Sequence, residues 1–139
     1  MEPALPSYLE PLNRQQLEAV RHEGAPLLIL AGAGSGKTRV ITTKIAYLID
    51  RKKVDPRSIL AVTFTNKAAG EMLERVHGMV SGASGVLIRT FHSFGAWLLR
   101  RNSSYAGLTS SFSIYDEDDS LSLLHSIHEG RPKRDLKRF

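Results

Sequence analysis

Short, predominantly apolar runs occur at three places in the chain, at residues 27–30, 59–64 and 86–90. Turn-forming residues precede the first run at Gly24 and Pro26. A run without polar alternation is typical of a strand buried on both faces of a parallel sheet. We therefore predict three strands, of which the first two are buried on both faces.

Apolar residues at helical spacing follow each of these runs, over residues 37 to about 51, 67 to about 80, and up to about 101. The apolar positions are Val40, Ile41, Ile45, Leu48 and Ile49 in the first segment, Ala68, Met72, Val76 and Met79 in the second, and Phe94, Trp97 and Leu98 in the third. One apolar face repeating about every 3.6 residues indicates an amphipathic helix. Strands alternating with helices predict an α/β fold with a parallel sheet.

A further helix is predicted near the amino terminus, where Leu17 and Val20 share one face. Asn13 precedes this segment, and Gln16 lies three residues after Asn13. This spacing is that of a capping box, in which each side chain bonds the other residue's backbone N–H group.

The segment LLILAGAGSGKT, residues 27–38, joins the first predicted strand to a helix through glycines. Backbone N–H groups at the start of such a helix bind anions. Lys37 would place a positive charge on the β and γ phosphates of a nucleotide, and the Thr38 hydroxyl would ligate Mg²⁺. We therefore predict a phosphate-binding loop.

The loop departs from the GxxxxGK[ST] consensus only at Ala31, which stands in place of the first glycine. Alanine is small enough for that turn if its φ is negative. A dinucleotide fingerprint would require a third glycine where Lys37 stands, so that interpretation fails.

Composition narrows the class of protein only slightly. The 139 residues are 42% hydrophobic, which suits one α/β domain with a core of its own. The formal charge of +5 and the pI near 9.7 favour polyanionic partners. The chain has no cysteine, no apolar run near the ~20 residues that span a bilayer, and no signal-peptide pattern. We expect a soluble intracellular protein.

Aromatic and polar residues follow the second and third predicted strands at their carboxyl ends, the edge where open parallel sheets bind ligands. The segments are Thr63–Lys67 and Thr90–His92. Phe64 could stack a base while Thr65, Asn66 and Lys67 hold phosphates, a combination typical of single-strand binding. The alternative interpretation is a core phenylalanine beside a helix cap.

Residues beyond 103 differ in composition and contain two patterns that imitate functional sites. Ile114–Glu117 places an Asp-Glu pair after apolar residues, but the run is too short for a central strand, and Asp116 suits the start of a helix to about residue 128. His125 and His128 are three apart on that helix, without a third ligand. We predict neither a Walker B strand nor a metal site there.

Four motifs together resemble the amino-terminal part of the UvrD/Rep/PcrA family of superfamily-one DNA helicases. LNRQQLEAV (12–20) is similar to the family's Q motif, AGAGSGKT (31–38) to its phosphate loop, VTFTNKAA (62–69) to motif Ia, and TFHSF (90–94) to motif Ib. The resemblance covers essentially every residue from Leu12 onward.

The resemblance implies a P-loop NTPase of the RecA-like, three-layer αβα class, incomplete in this chain. Residues 1–104 would form the ATP-binding motor domain, and residues 105–139 the start of a helical insertion subdomain. The implied function is an ATP-dependent DNA helicase or translocase with 3′ to 5′ polarity, in repair or replication, in the bacterial cytosol or nucleoid. Walker B, the arginine finger and the second motor domain would lie downstream, so we expect the isolated chain to bind nucleotide weakly and hydrolyse it poorly.

The resemblance also implies which residues bind each ligand. The ATP and Mg²⁺ site would comprise Gln16, Ala31, Gly32, Ala33, Gly34, Ser35, Gly36, Lys37, Thr38 and Arg39, with Lys37 and Thr38 catalytic and Thr38 on the metal. The site for single-stranded DNA and single-strand/duplex junctions would comprise Thr63, Phe64, Thr65, Asn66, Lys67, Thr90, Phe91 and His92. The Gln16 amide suits either adenine or a helix cap, and the alternative for Arg39 is an exposed helix arginine.

Two other classes of function remain as alternatives. One is a P-loop NTPase that signals or moves small molecules, although Asn66–Ala69 lacks the aspartate of a guanine-reading NKxD motif. The other is a nucleotide- or DNA-binding module without helicase activity. An ATPase assay with single-stranded DNA distinguishes the module from the enzyme.

Overall fold

The computed structural model describes residues 5–127 of the chain. The chain divides into two compact units between Phe94 and Gly95. The helices are α1 (Arg14–Arg21), α2 (Lys37–Asp50), α3 (Asn66–Met79), α4 (Phe91–Arg101) and α5 (Glu117–Ile127), and the strands are β1 (Leu60–Thr63) and β2 (Leu87–Thr90). Short 3-10 helices lie at Ser7–Leu9, Pro56–Ser58 and Ser103–Ala106.

Strands β1 and β2 pair in parallel, with Leu60 opposite Leu87 and Thr63 opposite Thr90. Helix α3 makes the crossover between them, as parallel pairing requires. Because the strands run in the same direction and in register, their carboxyl ends meet at one edge of the sheet. The predicted strand–helix–strand unit is therefore confirmed for β1, α3 and β2. The prediction that the first of these strands is buried on both faces is wrong, because Leu60 is 46% exposed.

Two apolar clusters hold the first unit together. The larger contains Ile45 of α2, Met72 and Val76 of α3, and residues on or beside the strands. The smaller joins Leu9, Val20 of α1 and Val40 of α2, and Val20 has no exposed surface. Burial of these side chains, worth roughly 1.5–3 kcal/mol each, fixes α1 against the start of α2.

The prediction of a buried strand at residues 27–30 is wrong. The segment belongs to no strand, and Leu28 and Leu30 are 80% and 87% exposed. Leu27 and Ile29 line an apolar cavity of about 390 Å³ against α2 and β1. A strand buried on both faces needs hydrogen-bonded neighbours and covering side chains, and within residues 5–127 only β1 and β2 form a sheet.

In the second unit, Asp116 caps α5, since the Asp119 N–H donates to Asp116 Oδ1 at 2.8 Å and the Asp116 N–H to Asp119 Oδ2 at 3.2 Å. Ile114 and Tyr115 are exposed and lie outside any strand. The predicted helix start at Asp116 is therefore confirmed. His128 and the basic stretch at residues 131–139 lie outside the described residues.

Candidate functional site

The glycine-rich loop turns through two left-handed positions directly before α2. Gly34 has φ of 75° and Gly36 has φ of 83°, a region that side chains with a Cβ atom rarely adopt. Gly36 is the N-cap residue, so α2 begins at Lys37. The N–H groups of the first turn have no partner within the helix. The loop therefore ends in a set of exposed donors that suit an anion.

The Lys37 side chain lies across the loop. Its ammonium group donates to the carbonyl oxygen of Ala31 at 2.9 Å and also to that of Gly32. The Ser35 hydroxyl donates to the same Gly32 carbonyl at 2.7 Å. Since Lys37 is exposed, its ammonium group is accessible to an anionic ligand from solvent.

Gln16 connects α1 to this loop. Its side-chain oxygen accepts from the Asn13 N–H at 3.1 Å, and the Gln16 N–H donates to Asn13 Oδ1 at 2.9 Å, so the predicted capping box is confirmed. Its amide nitrogen donates to the Ser35 carbonyl at 3.1 Å. Both ends of the amide are thus engaged with protein. Sequence reasoning missed the contact with Ser35, because no spacing pattern links residues 19 apart.

A cavity of about 390 Å³ brings the loop together with residues from two other helices. It is lined by Gln16, Gly34, Ser35, Gly36, Lys37, Thr38, Arg39 and Arg75. Three of these residues are cations, and no carboxylate of the described residues lines the cavity. Fixed positive charge without a countercharge favours an anionic ligand. Arg75 was not predicted, since only the packing of α3 against α2 brings it here.

Thr38 and Arg39 directly follow Lys37 in the chain. Both are exposed on the first turn of α2. Thr42, one turn further on, donates to the carbonyls of both residues, at 3.0 and 3.1 Å. Thr38 lines the cavity described above, and a hydroxyl oxygen is a ligand type that Mg²⁺ accepts beside phosphate oxygens and water. No group of three or more His, Cys, Asp or Glu side chains within residues 5–127 could hold a metal ion.

A second surface, which we call the aromatic edge, lies at the carboxyl ends of β1 and β2. Phe64 and Phe91 contact each other there, with ring centroids 5.5 Å apart and planes inclined by 45°. Phe64 is 86% exposed and Phe91 is 52% exposed. Large aromatic rings at this exposure do not fill a core. The packing alternative for Phe64 is therefore excluded, and two rings are available to solvent beside each other.

The polar residues of the aromatic edge divide into caps and exposed groups. Thr65 caps α3, because its hydroxyl accepts from the Ala68 N–H at 3.1 Å. Thr90 is only 6% exposed, and Ser93 bonds both its hydroxyl and its N–H. Thr90 thus fixes the start of α4 rather than facing solvent. The exposed polar side chains are Asn66, Lys67 and His92, while Thr63 is half-buried.

Two polar contacts join α2 to segments that precede the glycine-rich loop in the chain. Lys44 of α2 donates to the carbonyls of Val20, at 2.8 Å, and His22, which end α1. Burial lowers the pKa of Lys44 below its ordinary value. Tyr8 donates to Asp50 Oδ2 at 2.7 Å, and burial, followed by this hydrogen bond, raises the pKa of Tyr8. The Lys44 contact thus joins the end of α1 to α2, and the Tyr8 contact joins the first 3-10 helix to the end of α2.

Across residues 5–127, no helix has the length and apolar content needed to cross a membrane.

Comparison with known proteins places these features in context. Residues 12–139 match the model of the family described as UvrD/REP helicase N-terminal domain. The chain is 53% identical over 134 residues to the ATP-dependent DNA helicase UvrD1 of Mycobacterium leprae, covering 94% of the chain and 17% of that relative.

It is 50% identical over 132 residues to the ATP-dependent DNA helicase PcrA of Bacillus subtilis, and 48% identical to PcrA of Staphylococcus aureus, covering 94% of the chain and 18% of each relative. The chain thus spans less than a fifth of the length of these curated relatives.

Proposed function

The chain belongs to the UvrD/REP helicase N-terminal domain family, and on that premise we propose that it supplies the ATP- and single-strand-DNA-binding part of an ATP-dependent DNA helicase. The observation that carries the proposal is the pairing of two surfaces in one small unit. One is a glycine loop with three cations around a cavity, and the other is an exposed aromatic pair at a sheet edge.

For ATP, we assign the phosphates to the N–H groups of Gly34–Lys37 and to the Lys37 ammonium group. Thr38 would hold Mg²⁺, which neutralises phosphate charge when it is bound. Gln16 and Arg39 would face the base and sugar, as the family resemblance implies. In support, all of these residues line the same cavity. Positive charge held in place before the reaction stabilises the charge that develops on a transferring phosphoryl group.

For DNA, we assign base stacking to Phe64 and Phe91 and phosphate contacts to Asn66, Lys67 and His92. Stacking tolerates any base, since every base has a π face. The exposed amide, ammonium and imidazole groups near the rings supply hydrogen-bond donors for the phosphates of a DNA strand that passes across the sheet edge. The support for this assignment is the exposure of the rings and of these three side chains.

In the intact enzyme, ATP would close the cleft between two motor domains and hydrolysis would reopen it, so that alternating grips move the strand stepwise. Residues 1–104 would belong to the first motor domain, which we place in the RecA-like class, and residues 105–139 would begin a helical insertion. The 3′ to 5′ polarity, the preference for junctions, the role in repair or replication and the bacterial cytosolic or nucleoid location belong to the same proposal.

The nucleotide half is tested by titrating a fluorescent ATP analogue into the chain with Mg²⁺ at fixed salt. We expect saturable binding that Lys37→Ala abolishes, because the variant removes the ammonium group from the loop. Lys53→Gln is the matched control, since Lys53 is an exposed lysine outside the cavity. Equal binding by Lys37→Ala and the control would contradict the assignment.

The DNA half is tested by titrating labelled oligo-dT into the same protein. Phe64→Leu keeps an apolar side chain but removes the ring, and should weaken binding by about 1–3 kcal/mol, the value of one stacked base. Phe64→Tyr keeps the ring and should bind nearly as wild type. If Phe64→Leu binds oligo-dT as tightly as Phe64→Tyr and wild type, stacking on Phe64 is refuted, although the chain still binds DNA.

A further inference from the structure

One side of helix α3 lies near the start of α2, where Arg75 lines the same cavity as Lys37. Its buried face is anchored by Met72 and Val76, which are 4% and 0% exposed. Arg75 and Met79 are four residues apart and therefore lie on the same side of α3, next to its buried face. Arg75 lines the nucleotide cavity together with Arg39, and Met79 lines an adjacent cavity of about 310 Å³, also with Arg39. The position of Arg75 is therefore set by two buried anchors on its own helix.

The guanidinium group of Arg75 has no countercharge in the described part of the chain. Glu71 lies one turn earlier and Glu74 directly before it, but neither comes within ion-pair distance. Arg75 also makes no hydrogen bond with any described residue, although arginine has five N–H donors. It faces a cavity whose other charged residues, Lys37 and Arg39, are also cations.

The three cations are not equivalent. The Lys37 ammonium group already has two carbonyl partners in the loop, whereas Arg75 has none within residues 5–127. A guanidinium group is a planar fork that matches two phosphate oxygens at once, and such charge-assisted pairs are stronger than neutral hydrogen bonds. An anion in this cavity would also relieve the repulsion among the three cations.

We propose that Arg75 binds the phosphate chain of the nucleotide, as a contact additional to the loop and Lys37. The inference rests on the proposed function, because it assigns a further residue to the same nucleotide site. It implies that the affinity contributed by Arg75 follows the phosphates of the ligand rather than its base.

The test uses inorganic tripolyphosphate and ATP as competitors of the fluorescent ATP analogue. Arg75→Gln should weaken both competitors about tenfold, the loss expected for one charge-assisted contact at a partly open site. Arg75→Lys keeps the charge but not the fork, and should fall between wild type and Arg75→Gln. Arg21→Gln is the matched control, an exposed arginine on α1 outside the cavity, and should leave both affinities unchanged.

The outcomes distinguish the role proposed for Arg75 from the proposed nucleotide site itself. A loss with ATP but none with tripolyphosphate would overturn the assignment to the phosphates. If Lys37→Ala abolishes binding while Arg75→Gln matches Arg21→Gln, the inference fails and the proposed nucleotide site stands. If wild type binds neither competitor, the nucleotide site itself is refuted, and the role of Arg75 with it. Because Arg75 is exposed, its replacement leaves the core intact, and identical thermal melts of all variants verify this.

Discussion

Replacing Gly36 with alanine tests how the stability of the glycine-rich loop depends on Gln16. Gly36 sits at φ of 83°, where an L side chain is strained. A Cβ atom at this position would lie 2.8 Å from the Gln16 amide nitrogen, closer than real Cβ contacts allow. That nitrogen is the donor to the Ser35 carbonyl. The substitution should therefore strain the backbone and also displace Gln16 from the loop.

The two costs can be separated. A left-handed alanine costs roughly 1–2 kcal/mol. Loss of the Gln16–Ser35 hydrogen bond adds about 1 kcal/mol. The clash itself adds little beyond this, because the end of the Gln16 side chain can rotate away toward solvent. Alanine also restricts the unfolded chain, which offsets about 0.5–1 kcal/mol. We expect the free energy of unfolding to fall by about 2 kcal/mol in Gly36→Ala.

The assay is urea unfolding of the chain, followed by circular dichroism, with two glycine controls. Gly34 has φ of 75° but open space around its position, so Gly34→Ala carries the strain without the clash and should lose about 1 kcal/mol. Gly70 lies within α3, also with open space, and has ordinary helical backbone. Gly70→Ala should stabilise the protein by roughly 0.5–1 kcal/mol.

A double-mutant cycle with Gln16→Ala isolates the contact. If the clash displaces Gln16, Gly36→Ala should cost about 1 kcal/mol less in the Gln16→Ala background than in wild type. Equal costs in both backgrounds, or equal costs for Gly34→Ala and Gly36→Ala, would refute the coupling between Gln16 and the loop.

Two further predictions concern other polar contacts. The pKa of Tyr8 is raised by burial and by its hydrogen bond to Asp50. The protonated Tyr8 hydroxyl therefore contributes fully to stability below the pKa of tyrosine in the unfolded chain, about 10. This contribution is lost as the pH rises through the pKa of Tyr8 in the folded protein. Urea unfolding between pH 8 and pH 12 should show stability falling above pH 10, and Tyr8→Phe should flatten that fall; an unchanged slope would contradict the link. Asp116→Ala removes the N-cap of α5 and should lower the stability of this helix by about 1 kcal/mol. Amide hydrogen exchange in the first turn of α5 should then be faster. Asp119→Asn keeps an acceptor for the Asp116 N–H and should exchange at nearly the wild-type rate.

Helical periodicity predicted the helices of the first unit closely, because an apolar stripe and a cap are local properties of the chain. The segment predicted from residue 37 to about 51 is α2, and the Asn13–Gln16 capping box forms as its spacing indicates. The run at residues 27–30 was equally apolar, yet it forms no strand. Strand pairing needs partners distant in the chain, and a local pattern does not contain them.

The candidate site shows the same division residue by residue. The glycines before Lys37 and Thr38 predicted the turn that leads into α2, since its left-handed positions at Gly34 and Gly36 favour glycine. The pattern could not distinguish Phe64 as a core residue from Phe64 as an exposed ring, and its 86% exposure decided the question. Thr90 belonged to the same predicted set but is buried against Ser93.

Local sequence patterns predicted the helices of the first unit, the strand–helix–strand unit, the glycine-rich turn before α2 and, through four motifs, the family. Tertiary structure alone decided which side chains share a site. Helix packing brings Gln16 to Ser35 and carries Arg75 to the cavity, and parallel pairing of β1 with β2 sets Phe64 beside Phe91. These residues are distant in the chain, and the burial of Val20, Met72 and Val76 sets the distances between the helices that bear them.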